Sequence, residues 1–92
     1  MTSVHGRPTL RGACDIASAP AIEAWLASFR DVPIEVDLRG VTFFDSAALL
    51  VFLRAVRHNP NLRVVEPSEV VVRVLEATDT TEYLVRGRDI FE

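Results

Sequence analysis

Cysteine is almost absent. Cys14 is the one thiol among 92 residues, so no internal disulfide can form and the fold must rest on a packed core. That usage fits a reducing cytoplasm. A basic excess is also missing: 10 Lys and Arg stand against 13 Asp and Glu, a formal charge of −3. Nucleic acid and anionic membrane surfaces, which require a basic face, are therefore poor partners. No apolar run approaches the ~18 residues that cross a bilayer, and the opening MTSVHGRPTL has no apolar signal core. Neither membrane insertion nor export by that route is expected. Histidine is confined to His5 and His58, and no Cys/His spacing fits zinc. Asp79 and Glu82 lack further ligands for calcium, and neither a Walker lysine motif nor G-x-G-x-x-G occurs. The expectation is a protein without metal or cofactor. Repeats, linkers and low-complexity segments are absent too, which makes 1–92 one small domain.

What is present is a globular composition, 49% apolar and 25% charged, enough for a single core under a large surface fraction. The most informative stretch is Ile34 to Arg57. Ile34, Val36 and Leu38 alternate with Glu35 and Asp37, the period of a strand covered on one face. The chain then passes through Gly40 and Thr42 to Phe43 and Phe44. Asp45 and Ser46 follow at once, and after them the helix formers Ala47 to Leu53, closed by Arg54, Arg57 and His58. A polar pair thus stands at the mouth of a helix. Either residue can cap it, since both carry an oxygen that accepts from first-turn amides.

Around this stretch the chain alternates strand and helix. Residues 1–7 carry few apolar side chains and are expected to fray or to give one weak edge strand near Val4. Pro8 to Asp15 has the character of a short strand and turn. Ser18 to Arg30 is expected to be helical, with Ser18 or Ala19 as cap, Pro20 in the first turn, and Ile22, Leu26 and Phe29 on one stripe beside Trp25. The Asp31-Val32-Pro33 run ends it, because a residue before proline disfavours helical geometry. His58-Asn59-Pro60-Asn61 is a turn and Leu62 to Val65 a strand. Pro67 and Ser68 open a third helix carrying Val70, Val71, Val74 and Leu75 and ending near Ala77 or Thr78. A last strand is expected at Tyr83 to Val85, then a polar tail with Ile90 and Phe91 tucked in. The order is β-α-β-α-β-α-β, largely parallel with right-handed crossovers. Because Glu35 and Asp37 point away from the core, helices are expected on one sheet face only. Ile34, Val36, Leu38, Leu26, Phe29, Leu49, Leu53 and Val74 are expected to be buried, and Glu35 and Asp37 more exposed.

The run Asp37-Leu38-Arg39-Gly40-Val41-Thr42-Phe43-Phe44-Asp45-Ser46-Ala47-Ala48-Leu49 resembles the signature of the STAS domain, the fold of bacterial anti-sigma-factor antagonists. That signature reads D-L-x-x-[VL]-x-[FY]-[ILMF]-D-S-[SA]-G-[LI]. Gly12 and Asp15 also match the family's G-x-L-D turn, with Cys14, a small side chain suited to burial, in place of leucine. The resemblance implies a small STAS-like α/β domain: a mostly parallel mixed sheet with helices on one face, curtailed here at both termini. It implies that Ser46 is a phosphorylation site and that Asp15, Asp45, Ser46, Ala47, Ala48 and Leu50 form a partner-binding surface. The implied partner is an anti-sigma factor that acts as a serine kinase with ATP, so the nucleotide belongs to the partner. The same resemblance allows an alternative, a STAS subunit that scaffolds a lipid-transport ATPase or a stress-signalling complex without phosphorylation. Ala48 departs from the pattern, standing where the family has glycine.

A serine between strand and helix also invites comparison with the nucleophile elbow of hydrolases. That motif needs glycines two residues either side, where Phe44 and Ala48 stand. His58 lies about 18 Å down the same helix at 1.5 Å per residue, whereas a nucleophile and its base sit about 3 Å apart. His5, on a fraying terminus, is a poor mount. No catalytic role is expected. A phosphate on Ser46 would instead gain from the helix amides. The helix behind it is apolar all round, and with Leu49, Leu53 and Val56 inward it leaves Leu50 or Phe52 nearer the outside. A charge of about −2 there would break an apolar contact.

Overall fold

The computed structural model describes residues 2–4, 7–30 and 32–87. In chain order the elements are β1 (Thr2–Val4), β2 (Arg7–Cys14), α1 (Ala19–Ala27), β3 (Ile34–Phe44), α2 (Ser46–His58), β4 (Leu62–Val65), α3 (Glu69–Ala77) and α4 (Thr81–Leu84). One four-stranded sheet takes the order β1-β2-β3-β4. β1 is antiparallel to β2, while β2–β3 and β3–β4 are parallel. The mixed, mostly parallel sheet is the one expected. Its antiparallel edge comes from an N-terminal hairpin.

β3 owes its length to two register shifts. Thr9 pairs with Asp37 but Arg11 with Gly40, and Gly12 pairs with Val41 but Ala13 with Phe43. Each shift puts one extra residue into β3, and a bulge of this kind returns the chain to the core face after three residues instead of two. Ile34, Val36, Leu38, Val41 and Phe44 are all buried as a result. They join Leu10 and Cys14 of β2, Leu62 and Val64 of β4, and the buried residues of the four helices in one cluster. Phe52, wholly buried, lies at the centre of α2 and tilts against Phe44 with ring centroids 5.8 Å apart. The helices therefore pack on one side. The outer face of the sheet carries Thr9, Arg11, Glu35, Asp37 and Arg63 instead.

Several expectations are corrected. Tyr83 to Val85 is not a strand: Thr81–Leu84 turns helically, with Leu84 and Val85 N–H groups donating to the Thr80 and Thr81 carbonyls at 3.1 and 2.9 Å. The reason is burial, because a single turn puts Leu84 wholly into the core. Asp37, expected outside, is only 7% exposed. Arg39 and Arg7 close over it at 3.3 and 3.9 Å, and its Oδ1 accepts the Arg39 N–H at 2.9 Å. Long side chains from neighbouring positions can bury an inner strand's outer face without any helix. Phe29, Leu53 and Val74 are half-buried at the margin of the core. α1 stops at Ala27; beyond it Phe29 and Arg30 make the tighter i→i−3 bonds to Leu26 and Ala27. Ile90 and Phe91 lie outside the described residues.

Asn59 fixes the far end of the fold. Its buried Nδ2 donates to the Phe29 and Val32 carbonyls at 3.0 and 2.8 Å, tying the α1–β3 connection to the C-terminus of α2.

Candidate functional site

Parallel pairing of Cys14 with Phe44 brings the C-terminal ends of β2 and β3 to the same sheet edge. The Asp45 N–H donates to the Cys14 carbonyl at 3.2 Å and is the last rung of that pairing. Asp45 itself is extended (φ −107, ψ −176), and α2 starts at the next residue. Its Oδ1 accepts the Ala48 N–H at 3.0 Å, and its carbonyl accepts the Leu49 N–H at 3.0 Å. Asp45 is therefore the helix cap. Its second oxygen, Oδ2, accepts the Ile16 N–H at 3.2 Å from the turn between β2 and α1.

That assignment frees Ser46. It is the first residue of α2, it is exposed, and its hydroxyl makes no hydrogen bond to the described residues. Leu50, one helical turn on, is 49% exposed, whereas Phe52 is buried. Ala47 is half-buried beside them. Ala48 is not part of any surface: it is wholly buried, because its position on α2 faces the core. Asp15 is half-buried and turned into its own turn. Its Oδ1 accepts the Ser18 N–H at 3.0 Å, and its N–H donates to Ser18 Oγ at 2.9 Å. Of the proposed contact residues, the structure thus brings Ser46, Ala47, Asp45 and Leu50 together at the surface and keeps Ala48 inside.

Two residues of this surface were not picked out in the sequence. Ile16 is 77% exposed and Phe43 is 52% exposed. Ile16 is tied to Asp45, and Phe43 closes β3 on the outer face opposite Ala13. Together with Leu50 they are three of the four large apolar side chains that stand exposed among the described residues; Val32 is at the other end of the sheet. Adjacent aromatics at a strand end were the available signal for Phe43, since successive residues point to opposite faces. Ile16 gave a weaker one, a lone aliphatic residue between the turn formers Asp15 and Ser18.

Beneath the site lies Cys14, wholly buried. Burial, reinforced by the charges of Asp15 and Asp45, pushes its thiol from 9.0 up to about 11. It is a core side chain that holds its proton more tightly than a free thiol. His58 is exposed at the opposite end of α2, and His5 lies outside the described residues. Among the described residues no group of three His, Cys, Asp or Glu side chains could hold a metal ion. No helix of the described chain is long and apolar enough to cross a membrane.

In comparison with protein families, residues 1–86 match the family described as Mlab, STAS domain. In comparison with curated proteins, the chain has no match.

Proposed function

The chain belongs to the STAS domain family, and from that premise we propose a regulatory protein-binding module resembling an anti-sigma-factor antagonist. The unmodified domain binds an anti-sigma factor through Ser46, Leu50, Ile16 and Phe43. The partner is also a serine kinase. Ser46 Oγ attacks the γ-phosphorus of the partner's ATP, the bond to the β,γ-bridging oxygen breaks, ADP leaves, and the serine proton passes to a base on the kinase. The phosphate then stands among apolar contacts and the complex separates. One observation carries this reading: Asp45 caps α2, which leaves the Ser46 hydroxyl outward and unbonded on a rim of exposed apolar side chains. The alanine at position 48 does not count against it, since a buried methyl leaves the surface unchanged.

A second reading keeps to the matched family's description, Mlab, STAS domain. The domain is then a scaffold subunit of another assembly, such as a lipid-transport ATPase or a stress-signalling complex, with Ser46 a contact residue only. Pull-downs with candidate partners, with and without ATP, followed by mass spectrometry of Ser46, separate the two. Phosphate on Ser46 with loss of the complex is expected under the first reading. A stable complex with Ser46 unmodified after ATP selects the second.

A further inference from the structure

Asp45 uses both carboxylate oxygens, and they serve different parts of the chain. Oδ1 holds the Ala48 N–H at 3.0 Å and so begins α2. Oδ2 holds the Ile16 N–H at 3.2 Å and so fastens the β2–α1 turn to the helix. The other side-chain bonds of that turn run between Asp15 and Ser18 or from Ser18 Oγ to the Ala13 carbonyl of β2 at 3.3 Å, and none reaches α2. They set its shape and leave its placement against α2 to Asp45. What the turn presents is Ile16, the most exposed of the large apolar side chains described.

We infer that Asp45 is a positioning residue coupling Ser46 to Ile16: phosphate on Ser46 drives the carboxylate off the Ile16 amide and loosens the turn from α2. The modification then removes an apolar contact as well as adding a charge. This rests on the reading of Ser46 as phosphoacceptor. A phosphate of charge about −2 on the adjacent residue repels the Asp45 carboxylate and competes for the same first-turn amides. A carboxylate that swings away loses both hydrogen bonds, but the losses are unequal. The Ala48 N–H belongs to the helix start and regains an acceptor in the phosphate. The Ile16 N–H has only water. The cap is replaced and the clamp is not.

The test is amide hydrogen exchange, read by NMR on the full chain in four forms. These are wild type, the chain with phosphoserine installed at position 46 during synthesis, Asp45→Asn, and Ser46→Ala. Asparagine remains a good cap, because its oxygen still accepts from Ala48. Its NH2 cannot accept from the Ile16 N–H. Phosphoserine is expected to speed exchange at Ile16 about tenfold, the weight of one hydrogen bond to a charged group, while Ala48 stays protected. Asp45→Asn is expected to do the same with no phosphate present, and Ser46→Ala to leave both amides as in wild type. Unchanged protection at Ile16 in the phosphoserine chain or in Asp45→Asn overturns the coupling, as does faster exchange there in Ser46→Ala. Because the phosphate is installed without a kinase, a failure of the functional reading, in which no kinase modifies Ser46, leaves this measurement standing.

Discussion

Asp45 and Ser46 are neighbours with separate duties, and the separation can be measured. The carboxylate makes the capping bond to Ala48, so Asp45→Ala is expected to cost about 0.5–2 kcal/mol in urea unfolding. Ser46→Ala removes an exposed hydroxyl with no bond and is expected to stay within about 0.5 kcal/mol of wild type. Either residue could have been the cap on sequence alone, because both types accept from first-turn amides. Only the extended backbone at position 45 decides between them. Cys14 gives a second test at this scale. Its folded thiol titrates at about 11 against 9.0 for the free group, so the folded state holds the proton more tightly than the unfolded chain. Stability is then full below about pH 9 and falls as pH rises toward 11. Unfolding curves between pH 8 and 11, compared with Cys14→Ala, are expected to show the decline in wild type and its reduction in the variant.

The register shifts of β3 show how far an element can be read from its residues. Alternation over Ile34 to Leu38 was plain and placed the strand's inner face correctly. Beyond Leu38 the inward residues come three apart, at Val41 and Phe44, because bulges are set by pairing with β2 and leave no mark on a single strand's period. Burial of Asp37 was hidden in part for a like reason, since Arg7 reaches it from β2, while Arg39 stands two residues on in β3 itself. Tyr83 to Val85 has the residue types of a strand, and only the core beneath it makes a helical turn the better way to bury Leu84. The α2 helix and its polar mouth, by contrast, were legible because cap, apolar run and basic end are all local. One element-scale variant tests the bulged pairing. Gly12 lies beside the second shift with φ +83, and there is open space where a Cβ would go. Gly12→Ala is therefore expected to cost about 1–2 kcal/mol through backbone strain alone, read from thermal melts.

For the whole domain, charge at the site and stability of the fold are expected to part company. Ser46→Asp adds a carboxylate in the first turn of α2, where the helix favours negative charge by roughly 0.3–1 kcal/mol. That gain offsets repulsion from Asp45, so the melting temperature is expected to change little. An uncompensated charge in an apolar contact costs roughly 3–5 kcal/mol. Partner affinity, read by titration calorimetry, is therefore expected to fall by a factor of about a hundred or more. A variant that binds its partner as tightly as wild type would make Ser46 a bystander. The parallel pairing of β2 with β3 has one last effect. Ile16 and Ser46 are 30 positions apart in the chain and meet only because two strands end on the same edge. A synthetic peptide copying residues 41–52 holds the serine, Phe43 and Leu50 in order yet lacks Ile16 and any sheet to hold them. It is expected neither to compete with the domain for its partner nor to replace it as a kinase substrate, so recognition reports the folded state of the chain and not its spelling.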